Sequence, residues 1–157
     1  VLGGGFPIGA VGAKSEIMKT KNVFYGGTFS ANPLSMYAAK LILETIVNQK
    51  HINYNYLNES GFVFRSELNN FFDDKNVNMS AIGRGPINRL IFTNKFIKNK
   101  KERDENEGGD SQKDFSQKLK KLGVFVNGNG LYHFSMSHTP NVIKKLIKTI
   151  KTASITW

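Results

Sequence analysis

The chain has 157 residues, 39% of them hydrophobic, with no cysteine and a formal net charge of +10. A domain-sized core is within reach, whereas a disulfide framework and a thiolate metal site are excluded. No apolar run approaches the roughly 20 residues that span a bilayer. No membrane partner is therefore expected, and the lack of cysteine accords with a reducing, cytoplasmic setting. The positive charge raises the question of nucleic acid. Its lysines are scattered among acidic residues without a recognition motif, so no nucleic-acid partner is expected.

In chain order, Val1 and Leu2 read as the end of a strand, and Gly3-Gly4-Gly5 follows at once. A native N-terminus rarely starts inside a strand and its turn, so a fragment of a longer protein is expected. Residues 1–30 read as strand ends and glycine-rich loops. A helix is predicted from 33 to 49, capped by Asn32, with Pro33 in its first turn and Leu34, Tyr37, Ala38, Leu41, Ile42 and Thr45 at helical spacing. A second helix is predicted over 55–73, with Leu57, Val63, Phe64, Leu68 and Phe71 as its apolar positions. Strands follow near 79–83 and 88–93. The charged stretch 95–114 reads as a solvated loop. A third helix covers 112–122 and ends at Gly123. Strands at 124–126 and 131–136 come next, and Thr139 and Pro140 open a last helix over 140–152. Residues 51–157 thus alternate helices and strands, the pattern of a small α/β or α+β domain.

Two glycine-rich stretches carry chemical hints. The Gly3–Gly5 run serves either a close approach of backbone to a ligand or a tight turn. Neither of two familiar phosphate motifs is present: Ala13 stands where a P-loop needs glycine before Lys14, and no strand-to-helix GxGxxG occurs. Lys14 opens a polar turn and reads as a surface residue. In FYGGTFSANPLS, the Gly27 and Thr28 amides and the Thr28 hydroxyl could donate to an anion. The alternative is ordinary helix-entry chemistry, with Ser30 or Asn32 as the cap.

The blocks LGGGFPIGAVGAKSEIM, GGTFSANPLSMYAAKLILE and LGVFVNGNGLYHFSMSHTPNVIKKLI, in this order and at this separation, resemble class III pyridoxal-phosphate aminotransferases. They are most similar to the subgroup containing glutamate-1-semialdehyde aminomutase. The resemblance implies an α/β fold, the C-terminal portion of a fold type I enzyme, with 1–50 ending the large cofactor-binding domain and 51–157 forming the small C-terminal domain. It implies pyridoxal 5'-phosphate as cofactor, small amino and oxo substrates, and a homodimer with shared active sites. The family's Schiff-base lysine would lie immediately before Val1, so the chain alone is expected to be inactive.

The resemblance also assigns residues. Thr28, with Gly27 as its backbone companion, would bind the cofactor phosphate of the neighbouring subunit. Many class III enzymes hold the substrate carboxylate with an arginine near the HFSMS stretch, where this chain has His133. Arg89 is the substrate-binding candidate, and Arg84 is another. Arg89 shares a strand face with Ile87 and Ile91, where a polar group needs a partner; a structural ion pair is the alternative. His133 and His138 read more readily as structural. The subgroup's glutamate before its SxxHT-like run falls on Gly130, which favours transamination over the mutase reaction. A non-enzymatic paralogue or binding module is the remaining alternative.

Overall fold

The computed structural model describes residues 2–20, 26–48, 54–106 and 108–156. Val1, taken above as part of a strand end, lies outside them. The chain divides into two units, Val1–Ile52 and Asn53–Trp157.

The first unit holds a short helix, α1 (Ser15–Met18), and a long one, α2 (Pro33–Asn48). The stretch at Lys14 is therefore the entry to one helical turn rather than a plain loop. Leu2 sits in a turn, not in a strand. The cap of α2 is the expected one. Asn32 Oδ1 accepts from the N–H groups of Leu34 at 3.1 Å and Ser35 at 3.2 Å, and the Asn32 carbonyl accepts from Met36 N–H. Of the predicted apolar stripe, Ala38 and Ile42 are half-buried, while Leu34, Tyr37 and Leu41 are exposed. The residues that α2 buries fully are Ser35 and Ala39.

The second unit is built around α3 (Tyr54–Asp74). Its Phe64, Leu68 and Phe72 recur every four residues, and all three are sealed from solvent. They meet a three-stranded antiparallel sheet of β1 (Ser80–Arg84), β2 (Ile87–Ile91) and β3 (Leu131–His133), in the order β1-β2-β3. Two more helices complete the core: α5 (Gly109–Lys121) brings Phe115 and Leu119, and α6 (Pro140–Ile155) brings Ile143, Ile147 and Ile150. Phe72, not Phe71, continues the α3 column. Phe71 lies one position round the helix, half-buried, with its ring against Phe72 and beneath Lys151 Nζ. Val63 also lies off the column and stays exposed.

Two expectations fail between residues 95 and 126. The charged stretch is largely helical: α4 (Lys100–Glu105) fills its centre, and α5 begins at Gly109 rather than 112. The cause of α4 is a reciprocal cap. Asn99 Oδ1 accepts from Glu102 N–H at 3.0 Å, and the Glu102 carboxylate accepts from Asn99 Nδ2 and Lys98 N–H. Residues 124–126 form no strand. Val126 is buried and Phe125 is exposed, as in a strand, but Val124 N–H turns back to the Leu119 carbonyl at 2.9 Å, closing the end of α5 instead.

Polar side chains fix two corners. Asn88 is sealed on β2; its Oδ1 accepts from Arg65 Nη1, which also donates to the Gly85 carbonyl at 3.0 Å, and its Nδ2 donates to the Pro86 carbonyl. This ties the β1–β2 turn to α3. At the outer edge of β1, Asn69 Oδ1 accepts from Ala81 N–H at 2.7 Å, and Asn69 Nδ2 donates to the Ala81 carbonyl at 3.0 Å. One side-chain amide thus takes the place of a neighbouring strand and blunts an open edge.

Asn69→Ala would leave both Ala81 groups without that partner. A loss of about 1–3 kcal/mol is expected, read as a lower urea midpoint at unchanged slope, with light scattering that grows with protein concentration. An unchanged midpoint would show that solvent satisfies Ala81 equally well.

Candidate functional site

The first unit brings two of the sequence blocks together. Pro7, Ile8 and Gly9 from one, and the stretch from Gly27 to Asn32 with Ser35 and Met36 from the other, line a pocket of about 530 Å³. The Gly3–Gly5 run, just ahead of Pro7 in the chain, makes a tight turn closed by Phe6 N–H on the Gly3 carbonyl at 3.0 Å. A Cβ on Gly3 would fall 2.3 Å from the Phe6 carbonyl oxygen, so a tight turn accounts for that glycine.

Gly27 and Thr28 lie in a second turn, closed by Ser30 N–H on the Gly27 carbonyl at 2.9 Å. Thr28 is exposed. Its hydroxyl has no partner among the described residues. The helix behind the turn has no such spare donors at its start. Pro33 lacks an N–H, and the next two amides are taken by Asn32. An anion in this pocket would therefore be met by the Gly27–Thr28 turn, not by the first amides of α2. No carboxylate lines the pocket, so nothing in its wall repels a phosphate.

Arg89 belongs to the second unit and is described there on its own. It is half-buried, between exposed Ile87 and sealed Ile91. Burial lowers the guanidinium pKa, nearby Arg103 lowers it further, and Asp104 opposes both. Asp104 in turn accepts from Arg103 Nε at 2.9 Å, and that hydrogen bond holds its carboxyl below the usual range. Arg89 thus stands in the field of an Arg–Asp pair supplied by α4, the helix absent from the sequence-based reading. Arg84 is exposed at the end of β1.

The two histidines differ. His133 is exposed on β3. His138 is half-buried and held: its Nδ1 accepts from Ser135 N–H at 3.0 Å and lies 2.9 Å from Ser135 Oγ. Its carbonyl accepts from the Tyr56 hydroxyl. Both histidines line a pocket of about 410 Å³ between the 123–127 arm and β3, with Tyr132, Val142 and Lys145 among its other walls. Sequence reasoning passed over Lys145 and Tyr132. Their spacing is that of an ordinary helix and strand, and only the fold brings them beside the histidines. Among the described residues no group of three or more potential metal ligands occurs, and no helix is long and apolar enough to cross a membrane.

A mixed α/β chain with a small antiparallel sheet, and a phosphate-compatible turn at the entry of a long helix, fits the architecture of pyridoxal-phosphate enzymes. The chain belongs to the class-III aminotransferase family, whose model matches residues 1–152. Among curated relatives, the glutamate-1-semialdehyde 2,1-aminomutase of Haloarcula marismortui is 37% identical over 98 residues, 59% of this chain and 21% of that protein. The enzyme of the same name from Sulfurisphaera tokodaii is 32% identical over 161 aligned positions, 96% of this chain and 36% of that protein. An omega-transaminase from Sphaerobacter thermophilus shares the fold, with a TM-score of 0.74 and 20% identity over 99% of this chain and 36% of its own. The chain therefore spans roughly a fifth to a third of the length of these proteins.

The Tyr132 hydroxyl is buried with no hydrogen-bond partner among the described residues, and burial pushes its pKa well above that of a free phenol. Removing an unsatisfied buried hydroxyl relieves a desolvation cost. Tyr132→Phe is expected to leave the thermal midpoint unchanged or raise it; a clear drop would mean that the hydroxyl has a partner in solution.

Proposed function

We propose that this chain is the C-terminal part of a pyridoxal 5'-phosphate enzyme that moves an amino group on small amino and oxo compounds, acting as a homodimer with shared sites. The family match over residues 1–152 carries this reading. When bound, the cofactor supplies an electron sink for the bonds at the amino-bearing carbon of the substrate. The Thr28 hydroxyl, exposed and without a partner among the described residues, donates to the phosphate, and the Thr28 amide adds a second donor beside Gly27. Arg89 is the group offered to a substrate carboxylate, with Asp104 competing for it.

Two reactions fit this chemistry. Transfer between two molecules is favoured by Gly130, where the resemblance would put the aminomutase glutamate. Its φ is +68°, and a Cβ there would come 2.5 Å from Oε1 of the buried Gln112. A side chain at 130 would need left-handed backbone and displacement of that amide. Isomerisation of one molecule is favoured by the aminomutase names of the curated relatives. The complete enzyme, supplied with one amino aldehyde and no acceptor, should turn over only if it is a mutase. Turnover that appears when a 2-oxo acid is added identifies an aminotransferase. Activity under neither condition, with the cofactor bound, would favour a non-enzymatic paralogue.

The cofactor assignment has its own test. One hydrogen bond to a charged group is worth roughly 1.5–3 kcal/mol. Thr28→Ala should therefore weaken cofactor retention in the complete dimer by about ten- to a hundredfold, while Thr28→Ser keeps the donor and most of the affinity. Equal retention by wild type and both variants, followed by absorbance, would reduce Thr28 to a helix-entry residue.

A further inference from the structure

We infer that Asn127 is a site of spontaneous deamidation, where the folded chain converts its own side-chain amide to aspartate and isoaspartate. The sequence holds two Asn-Gly pairs, at 127–128 and 129–130. Both stand in the turn that leads into β3, and both asparagines are exposed. In each pair the glycine backbone nitrogen is the nucleophile and the asparagine Cγ is its target. Glycine has no Cβ to crowd that approach.

The fold treats the two pairs differently. Gly130 is buried, with a φ of +68°. Its N–H donates to the Asn127 carbonyl at 3.2 Å, and its carbonyl accepts from Leu90 N–H at 3.0 Å. Asn129 Oδ1 accepts from Leu131 N–H at 3.1 Å. Ring closure at Asn129 must therefore pull Gly130 out of its bonds. At Asn127 nothing has to be broken. Neither its side chain nor the Gly128 N–H has a partner among the described residues. Gly128 is exposed, and a Cβ built there would meet nothing within 4 Å, so water and base reach the amide.

The reaction is a substitution with no redox change. Gly128 N–H gives up its proton, the nitrogen bonds to Asn127 Cγ, and the bond from Cγ to the side-chain nitrogen breaks, releasing ammonia. Water then opens the five-membered imide at either carbonyl. One opening yields aspartate. The other yields isoaspartate, in which the main chain runs through the former side chain and gains a methylene. The carbonyl that closes the turn on Gly130 then leaves the main chain, directly before β3. Each event lowers the net charge by one and is not reversed, so the product accumulates with the age of the molecule. No cofactor or substrate takes part.

The complete protein, incubated at mildly alkaline pH, should lose its amide at Asn127 about tenfold or more faster than at Asn129. Peptide fragmentation in a mass spectrometer assigns the site and separates isoaspartate from aspartate. In concentrated urea the two sites should react at similar rates. Gly128→Ala fits the open position without left-handed backbone, so it should slow the reaction about tenfold at an unchanged urea midpoint. The isoaspartyl fraction, isolated by ion exchange, should exchange its Leu90 amide hydrogen faster than the Asn127→Asp variant, which adds the charge but keeps the backbone. Equal rates at the two sites in the folded protein, a faster Asn129, or protection of both sites by folding would overturn the assignment.

Discussion

Phe64, Leu68 and Phe72 stand in a column along α3, and the second unit is arranged so that each loses its water. The sheet covers one side of the column, with Ala81 and Leu90 paired across β1 and β2. α6 covers another with Ile143, Ile147 and Ile150. Aromatic contacts join the third strand to it, with Phe64 at 5.5 Å from Tyr132 and edge-on to Phe134 at 5.2 Å. The strands that carry Arg89 and His133 hang from this packing. Arg89 follows Asn88, which Arg65 pins to α3, and His133 lies between Tyr132 and Phe134, whose rings anchor the strand.

Local signals were legible where one residue type answers one need. Asn32 before Pro33 announced the start of α2, and Gly123 the end of α5, because few residues serve those positions. The same logic was available for α4, where Asn99 and Glu102 have capping-box spacing. Charge density concealed it: a helix of six residues with no buried side chain leaves no apolar periodicity to read. The choice of Phe72 over Phe71 is a matter of helical phase, which two adjacent phenylalanines leave open. The 124–126 segment alternates correctly for a strand, but alternation records only that one side chain is buried, not that a neighbour bonds to the backbone.

The candidate site was legible in part. The ordered blocks pointed to the family, and the Gly27–Thr28 turn could be singled out because glycine, threonine and a capped helix follow in sequence. The surroundings of Arg89 could not be anticipated, since Asp104 arrives on a helix that was read as loop. The cleft beside β3 was equally hidden. It arises from a strand pairing that does not form, between residues whose spacing is ordinary for the elements they occupy.

The cap on α2 separates two things that helix entries usually offer together. Asn32 consumes the first free amides of the helix, so a guest at the Gly27–Thr28 turn makes its contacts elsewhere. The aligned peptide dipoles behind Asn32 still point their positive end toward the turn. An anion at the turn would thus meet the pull of the N-terminal end of a sixteen-residue helix and, separately, a grip from one hydroxyl and the turn. Attraction and selectivity can change independently: lengthening or shortening the helix beyond its first turns would alter neither contact, and altering Thr28 would leave the field in place.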